Sequence, residues 1–306
     1  MRNLRDMTEE PERLRIGIGL PAAVPGADMT TLGQWAADAE RDGFGAVGVI
    51  DRLVYDNLEP LVALAVAAAR TQRVELVTTV LNVGWRGNPV LLAKQMASVE
   101  RVSGGRLTAG LGLGGWPEDY AASQVPQTGL GERWKSYLST LRAAWSGKLG
   151  GQGGPMPELP EGRPALLFGG LVPAAYQRAA TDGQGWVAPL FGLPVLQTGA
   201  AAVREAWEQA GRSGRPRIMT GRYFSLGADA DAVADEYLQH YYPDEYFPFA
   251  RADSLTTAER LGGELAALRA AGVTDLVLYP CSAGLEQVGL LAEALRAAGF
   301  PLPGSL

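Results

Sequence analysis

The sequence predicts an α/β fold: a (β/α)8 TIM barrel with an extra helix and loop between strands 7 and 8. The main observation is an alternation, because eight short β-branched or apolar runs are separated by longer stretches of helical period. Parallel strands need such helical crossovers. The length of 306 residues and the 47% hydrophobic composition suffice for one large barrel. A doubly wound sheet usually has fewer strands, so it is the second choice.

The first half of the chain supplies four of the predicted strands. They cover residues 15–20, 46–50, 74–80 and 107–111. Helices are predicted to begin after Thr31, at residue 58 and at Asn88-Pro89, where Asn is a good N-cap and Pro suits the first helical position. After the fourth strand we expect a long loop and then a helix. Its apolar face is formed by Trp134, Leu138, Leu141 and Trp145.

The second half repeats the pattern after a Gly/Pro-rich linker over residues 147–164, the longest irregular stretch. Strands are predicted at residues 165–169, 186–189, 218–226 and 275–279. Helices are predicted from Pro173 and over residues 195–210, 229–242, 257–271 and 285–298. Thr256 and Glu259 form a capping-box pattern before the helix at 257–271. We therefore expect an N-terminal tail over residues 1–14 and a single domain over residues 15–306.

Composition excludes several classes of function. The chain has 27 Lys and Arg against 33 Asp and Glu, a net charge of −6, so nucleic acid and anionic membranes are not expected partners. One cysteine, Cys281, excludes a disulfide framework and a multi-cysteine zinc site. One histidine, His240, makes a histidine metal site improbable and is expected on the surface at a helix end. Residues 1–14 have four acidic residues and no apolar core, so we expect no signal peptide. We also expect no membrane span and a cytoplasmic location.

The glycine-rich end of the fourth strand is the strongest local signal. Gly110, Gly112 and Gly115 formally match G-x-G-x-x-G, a dinucleotide fingerprint. The context argues against it, because Trp116 leads into a loop rather than a helix and the fingerprint normally follows the first strand. Two readings stay open. The glycines allow a tight strand end, or they let backbone N–H groups approach a flat or phosphorylated ligand.

Other signals also follow strands, at the end of a barrel where active sites lie. Asp51-Arg52 ends the second strand. Trp85 and Arg86 precede a capped helix and suit a wall with a cation for an anionic ligand, although an ordinary loop explains them as well. Gly169-Gly170 comes just before a helix N-terminus, which is a plausible anion site. The aromatic run from Tyr241 to Phe249, which includes Tyr246, is either a lid over an apolar substrate or packing of the extra segment.

Taken together, these segments resemble the bacterial-luciferase-like superfamily, and within it the branch that uses the deazaflavin coenzyme F-420. The similarity covers nearly the whole chain. Its most specific parts are VTTVLNVGWRGNPVLLAK (77–94), SGGRLTAGLGLGGWPEDY (103–120) and Phe168-Gly169-Gly170 followed by Asp182-Gly183 and Gly185-Trp186. The resemblance implies a (β/α)8 barrel, in agreement with the strand count, and a flavin or deazaflavin bound at its C-terminal mouth.

The resemblance also implies the cofactor-binding residues. Many members of the superfamily have a non-proline cis peptide at the end of the third strand, which corresponds to Thr79–Val80 here. The positions that correspond to the cofactor site are Thr79, Val80, Asn82, Leu113, Gly114, Gly169, Gly170, Val187 and Ala188. We expect Thr79, Gly114 and Gly170 to converge on one cavity. A homodimer is also implied, since the family often forms dimers.

The chain departs from the deazaflavin-dependent dehydrogenases that it resembles at two catalytic positions. An Asp-His pair ends their second strand, whereas this chain has Asp51-Arg52, and a Glu that often follows their strand 4 glycines corresponds to Gly115. Arg52 cannot act as a general base, because a guanidinium keeps its proton at any ordinary pH. It can stabilise an enolate or carboxylate. These departures favour reduction over oxidation of an alcohol.

The predicted function is hydride transfer from reduced coenzyme F-420 to an activated C=C or C=N bond of a small-molecule substrate. The alternatives are an FMN-dependent monooxygenase that uses molecular oxygen and a cofactor-binding barrel without turnover. Asp51, Arg52 and Glu118 are the candidate catalytic residues, with Asp119 and Tyr120 as further proton donors. Trp85, Arg86, Trp116 and Tyr246 are the candidate substrate residues, and no metal is expected.

Overall fold

Eight parallel strands close into a barrel. The computed structural model describes residues 14–151, 154–155, 159, 164–190 and 192–303, so the predicted tail lies outside it except for Leu14. The strands are β1 (Arg15–Gly19), β2 (Ala46–Val49), β3 (Glu75–Asn82), β4 (Leu107–Gly112), β5 (Gly150–Gly151), β6 (Gly154–Pro155), β7 (Ala165–Gly169), β8 (Gly185–Val187), β9 (Arg217–Phe224) and β10 (Asp275–Pro280). Barrel strands follow chain order around the circle and β10 pairs with β1, while β5 and β6 form a separate antiparallel pair. The predicted TIM barrel is confirmed.

Helices surround the barrel and connect its strands. They are α1 (Leu32–Arg41), α2 (Pro60–Arg70), α3 (Pro89–Val102), α4 (Pro117–Ser123), α5 (Leu130–Trp145), α6 (Pro173–Asp182), α7 (Leu193–Gln209), α8 (Ala230–Tyr241), α9 (Phe247–Ala252), α10 (Ala258–Ala270) and α11 (Glu286–Ala297). The side chain of Asn88 accepts a hydrogen bond of 3.0 Å from the Leu91 N–H at the start of α3. The predicted Asn-Pro helix start is therefore confirmed.

Three local predictions are wrong. The loop expected after Trp116 contains α4, because Pro117 at the first position and the acidic Glu118 and Asp119 in the first turn favour a helix start. The segment between β9 and β10 contains α9 in addition to the two predicted helices. The N-cap of α10 is Thr257, whose side chain accepts from Arg260 N–H, whereas the buried Thr256 hydroxyl donates to Asp231.

The N-terminal end of the barrel is closed by a network of buried charges. Arg15, Glu75, Arg217 and Asp275 are the first residues of β1, β3, β9 and β10. The Arg217 guanidinium lies 2.9 Å from an oxygen of Glu75 and 2.9 Å from an oxygen of Asp275, and Arg15 lies 2.6 Å from the other Glu75 oxygen. These two cations hold the pKa values of both carboxyl groups below their usual range. The network lies at the end opposite to the mouth.

Candidate active site

The C-terminal mouth of the barrel brings together the ends of neighbouring strands. β2, β3, β4, β7 and β8 are consecutive around the barrel, so the residues that end them lie side by side. Most of the predicted cofactor-binding residues are on these ends. They are Thr79, Val80 and Asn82 on β3, Leu113 and Gly114 after β4, Gly169 and Gly170 at β7, and Val187 and Ala188 at β8. Sequence position alone therefore groups them on one side of the mouth.

The peptide bond between Thr79 and Val80 is cis, as the resemblance implies. The Val80 side chain lies between two glycines, since a Cβ at Gly112 would be 2.5 Å from Val80 Cγ2 and one at Gly169 would be 3.0 Å from Cγ1. Thr79 and Val80 are both partly exposed, so this side chain forms part of the accessible surface of the mouth. Glycines on β4 and β7 are what leave room for it.

Tyr279 contacts Thr79 inside the barrel, and it was not among the predicted site residues. Its hydroxyl shares a short hydrogen bond with the Thr79 hydroxyl. A Cβ at Gly19 would lie 2.2 Å from the Tyr279 ring, and one at Gly48 would lie 2.9 Å from its hydroxyl and 2.7 Å from Val277 Cγ1, so both glycines leave room for this side chain. A tyrosine near the end of a buried strand reads as a core residue. Paired glycines on two neighbouring strands are the signal that a large ring lies across the interior.

Gly114 adopts a backbone conformation that favours glycine, with φ of +82°. A Cβ at this position would lie 3.1 Å from Cβ and Cγ of Asn82, which is tighter than an ordinary contact. The preceding Leu113 carbonyl accepts hydrogen bonds from the Tyr120 hydroxyl at 2.6 Å and from the Gly84 N–H at 3.1 Å. This edge of the mouth is therefore a fixed stretch of exposed backbone without side-chain bulk. The Tyr120 hydroxyl, predicted as a proton donor, already donates to a carbonyl.

Gly170 ends the same row on β7. It has φ of +125°, is exposed, and its carbonyl accepts a hydrogen bond of 2.9 Å from Trp186 Nε1. Three residues later α6 begins at Pro173, which has no N–H, and the Ala175 N–H donates to the Val172 carbonyl at 2.8 Å, so within the described residues Ala174 provides the free N–H of this turn. Uncapped N–H groups at a helix start favour an anion. The geometry thus agrees with the predicted anion site, which stays a prediction.

Asp51 is buried and connects three segments of the mouth. Its carboxylate accepts a hydrogen bond of 2.7 Å from the Asn82 N–H, and both oxygens lie 3.1 Å from Arg86 Nη2. Its carbonyl accepts a hydrogen bond of 2.8 Å from the Asn82 side chain. Glu59 lies 3.4 Å from the same Arg86 nitrogen. Two predicted residues, one catalytic and one substrate-binding, thus form an ion pair in the wall of the mouth.

Burial raises the pKa of Asp51 to about 6, although Arg86 and the Asn82 N–H favour the charged form. An acid with a raised folded-state pKa contributes stability that is present below its unfolded pKa and is lost as the pH rises. Relative to Asp51→Asn, the wild-type free energy of unfolding is therefore expected to fall by about 2–3 kcal/mol between about pH 4 and pH 6.5. Urea unfolding of both proteins across this range measures it. A difference that grows with pH would show instead that Arg86 dominates.

Arg52 is held by two acids and an aromatic ring. Its Nη2 lies 2.6 Å from Glu118 and its Nε 3.3 Å from Asp119, while the guanidinium carbon is 3.7 Å from the centre of the Trp116 ring. Asp119 also accepts a hydrogen bond from the Val54 N–H at 2.9 Å. The structure therefore brings together the predicted residues Arg52, Glu118 and Trp116. Only Glu118 among the acids of this group has wide access to water, with 48% of its side chain exposed.

Tyrosines cover the remaining side of the mouth. The Tyr223 hydroxyl is 3.1 Å from that of Tyr242, and the ring of Tyr241 is 6.0 Å from that of Trp116. Burial raises the pKa of Tyr242 to about 12, so it stays protonated at neutral pH. Tyr246, which precedes α9, is 44% exposed and is not part of this cluster's buried core. The predicted aromatic segment thus both packs onto the barrel and lines its rim.

The remaining predicted residues lie further out. Trp85 is buried, with the Arg86 guanidinium 4.2 Å from its ring centre. His240 is exposed in the last turn of α8, as predicted, with its ring 5.6 Å from that of Tyr55. Thr79, Gly114 and Gly170 end neighbouring strands, but none of them lines the cavity of about 220 Å³ that lies between α5 and the loop after β3. Their convergence on one cavity stays a prediction.

Two kinds of feature are absent from the part of the chain that the structure describes. It contains no group of three or more His, Cys, Asp or Glu side chains placed to hold a metal ion. None of its helices combines the length and the apolar character that crossing a membrane requires.

Known proteins resemble this chain at several levels. A family model described as luciferase-like monooxygenase matches residues 14–280. An F-420-dependent glucose-6-phosphate dehydrogenase from Gordonia bronchialis is 28% identical over 228 residues, which are 64% of this chain and 66% of that protein. Uncharacterized proteins from Mycobacterium tuberculosis are 26% identical over 174 residues. That match covers 53% of this chain, and the chain spans only 61% of the length of these relatives.

Solved structures share the fold over nearly the whole chain. The monooxygenase RslO1 from Streptomyces bottropensis has a TM-score of 0.76 at 21% identity, with 93% of this chain and 99% of that one covered. An F-420-dependent secondary alcohol dehydrogenase, solved with an F-420–acetone adduct, has a TM-score of 0.72 at 18% identity and coverages of 94% and 99%. At such identities the likeness concerns the fold.

Proposed function

Since this chain belongs to the luciferase-like monooxygenase family, whose members are oxidoreductases, we propose that it uses coenzyme F-420 to reduce an activated C=C or C=N bond. The observation that carries the proposal is the mouth itself. Gly112 and Gly169 leave room for the partly exposed Val80 side chain, and Arg52 corresponds in sequence to the catalytic imidazole that the family resemblance implies. The relative named as an F-420-dependent glucose-6-phosphate dehydrogenase supports the choice of cofactor.

The residues of the mouth fit a planar cofactor. Cβ atoms at Gly112, Gly114 and Gly169 would lie 3.1 Å or less from the side chains of Val80 or Asn82, so side chains at these positions would displace residues that line the mouth. Gly170 and the uncapped start of α6 suit the cofactor's phosphate. Val187 and Ala188, both buried at the end of β8, complete the proposed apolar wall. We propose that the ring lies across Val80 and Gly114.

When bound, a reduced deazaflavin supplies a hydride from its central ring. Arg52 keeps its positive charge at any ordinary pH and stabilises negative charge that develops on the substrate. Asp119 holds this guanidinium in place through a buried ion pair. Glu118 exchanges protons with water and returns one to the product through the carboxylate oxygen that does not contact Arg52. Asp51 and Asn82 fix the backbone on which Val80 and Gly114 lie.

Two alternative functions each have an observation in their favour. An FMN-dependent monooxygenase is favoured by the likeness to the monooxygenase RslO1, which has the highest TM-score of the structures compared above. A barrel that binds a cofactor without turnover is favoured by the missing imidazole and by the acids that are already paired, namely Asp51 with Arg86 and Asp119 with Arg52. Both alternatives share the glycine-lined mouth, so cofactor choice and turnover separate them.

Cofactor titration tests the proposal. We expect the purified protein to bind oxidised coenzyme F-420 at least tenfold more tightly than FMN, in line with the relative that is named as F-420-dependent. Changes in cofactor absorbance and fluorescence give both dissociation constants. Tight FMN binding with no deazaflavin binding would contradict the proposal and favour the monooxygenase. Oxidation of reduced F-420 by a panel of enones and imines then separates a reductase from a barrel without turnover.

A further inference from the structure

A cavity lies beside the mouth, and Leu113 is the one residue of its lining that is also assigned to the cofactor. It has a volume of about 220 Å³ and is bounded by α5, the start of α3 and the loops after β3 and β4. Its lining residues are Val83, Gly84, Arg86, Gly87, Pro89, Leu113, Val125, Leu130, Arg133, Trp134, Ser136 and Tyr137. Gly87 and Ser136 are exposed and mark its opening. The volume is below the range of about 300–1,000 Å³ typical of drug-sized ligands, so the occupant is small.

Positive charge is concentrated on two sides of this cavity. Arg86 donates from Nη2 to Asp51 and lies 3.4 Å from Glu59, and its buried Nε has no hydrogen-bond partner among the described residues. Arg133 donates to the Pro126 carbonyl, and no carboxylate of the described chain lies within 4 Å of its guanidinium. A ligand with a carboxylate can bind both groups, since charge-assisted hydrogen bonds to arginine are strong.

The start of α5 adds to this positive field. The 16-residue helix begins at Leu130, and its N-cap, Gly129, offers no side-chain acceptor to the first N–H groups. Glu132 is the acidic residue of the first turn, but its side chain is 84% exposed and pairs with Lys135 at 3.0 Å. No acidic side chain of the first turn therefore competes with an anion in the cavity for these N–H groups.

The rest of the lining is apolar or aromatic. Val83, Leu113, Val125 and Leu130 form the walls around the two guanidinium groups. The Tyr137 hydroxyl is buried without a hydrogen-bond partner among the described residues, and burial raises its pKa to about 12, so it remains a neutral donor. A buried donor without a partner carries a free-energy cost that an acceptor on a ligand removes. The lining is therefore complementary to a ligand with a flat apolar ring and a hydrogen-bond acceptor.

We propose that this cavity binds a small aromatic carboxylate, with the carboxylate between Arg86 and Arg133 and the ring against the apolar walls. The site lies beside the mouth and shares Arg86 and Leu113 with it. Arg86 lies in the cavity wall and also pairs with Asp51. A bound carboxylate competes with Asp51 for this guanidinium, so occupancy of the cavity acts on the wall of the active site.

Calorimetric titration of the protein with benzoate, without cofactor or substrate, tests the site. We expect one saturable site per chain, and at least tenfold weaker binding of benzamide, which has the ring without the charge, and of inorganic phosphate, which has charge without the ring. Arg133→Met is expected to weaken benzoate binding at least tenfold. Lys135→Met on the same helix is the control, since Lys135 is 75% exposed and does not line the cavity. No saturable binding, or equal binding by both variants, overturns the proposal.

Two further measurements check the site independently of Arg133→Met. Ser136→Trp fills the opening from an exposed position and is expected to abolish benzoate binding even if Arg133→Met fails to fold. Saturation with F-420 or FMN must leave benzoate affinity within threefold. Displacement of benzoate by either would make the cavity part of the cofactor site and overturn its independence. Since benzoate binding is measured without cofactor, its failure leaves the proposed function untouched.

The shared arginine has a consequence that only this arrangement produces. Asp51 faces Arg86, Glu59, the Asn82 N–H and, further away, Tyr241. Asp51→Asn removes the competing carboxylate, so it is expected to tighten benzoate binding about threefold to tenfold at pH 7.5. Wild-type affinity is expected to rise as the pH is lowered towards 6, and the variant to show a flatter profile. Weaker binding by the variant would contradict the sharing of Arg86.

Discussion

Replacing Arg217 by methionine is expected to lower the free energy of unfolding at pH 7 by about 3–5 kcal/mol. Arg217, whose side chain is 17% exposed, contacts both Glu75 and Asp275 at the closed end of the barrel. Removing it leaves two buried carboxylates with Arg15 alone, and an uncompensated buried charge is costly. Methionine keeps much of the apolar stem, so the loss reports the charge rather than a cavity. Urea unfolding followed by tryptophan fluorescence measures the effect.

Arg41→Met is the matched control for this loss. Arg41 also contacts two acids, Asp38 and Asp42, but its side chain is 66% exposed. Exposed ion pairs contribute about 0–1 kcal/mol, so its substitution should change stability very little. The penalty of Arg217→Met is also expected to shrink at low pH, where the two carboxyl groups become neutral. A loss below about 1 kcal/mol at pH 7 would mean that the network does not stabilise the fold.

Gly114→Leu is expected to weaken cofactor binding at least a hundredfold, whichever cofactor the protein uses. The backbone at Gly114 has φ of +82°, where a side chain is strained, and a Cβ would press on Asn82 at 3.1 Å. Displacing Asn82 disturbs its hydrogen bonds with Asp51 and closes the surface on which we place the ring. Titrations with F-420 and with FMN, monitored by fluorescence, give the change in dissociation constant.

The adjacent glycine provides the comparison for Gly114→Leu. Gly115 has open space around its Cβ position and no left-handed backbone, so Gly115→Ala should bind cofactor as the wild type does. Thermal unfolding of both variants separates a local block from a general loss of structure. Normal cofactor binding by a folded Gly114→Leu protein would show that the ring lies elsewhere.

The sequence was sufficient to predict the barrel and the side of the mouth where the candidate site lies. Strand ends are local features, and in a parallel barrel their position in the chain determines which of them become neighbours. Thr79, Leu113 and Gly170 could therefore be grouped without coordinates. The cis bond between Thr79 and Val80 came from the family resemblance, not from any local pattern.

Other parts of the site depend on partners that no local pattern identifies. Arg52 contacts Glu118 and Trp116, which are 66 and 64 positions away. Tyr279 contacts Thr79 across 200 positions. The short helix α4 was taken as a loop because Trp116-Pro117 reads as a break, although Pro is also suited to begin a helix. Long-range pairs and ambiguous prolines are what a single sequence leaves undetermined.

The same strands carry two groups of residues that do not touch. One group is the charges that close one end of the barrel, and the other lines the opposite end. Arg217 begins β9, and Tyr223 near its end lines the mouth. Mutations can therefore accumulate in the loops after β2, β4 and β9 while the opposite end keeps the barrel folded. For directed evolution this division indicates where to randomise. Libraries at Glu118 and Tyr246, which are 48% and 44% exposed, should yield folded variants with altered substrate preference far more often than libraries at the closed end.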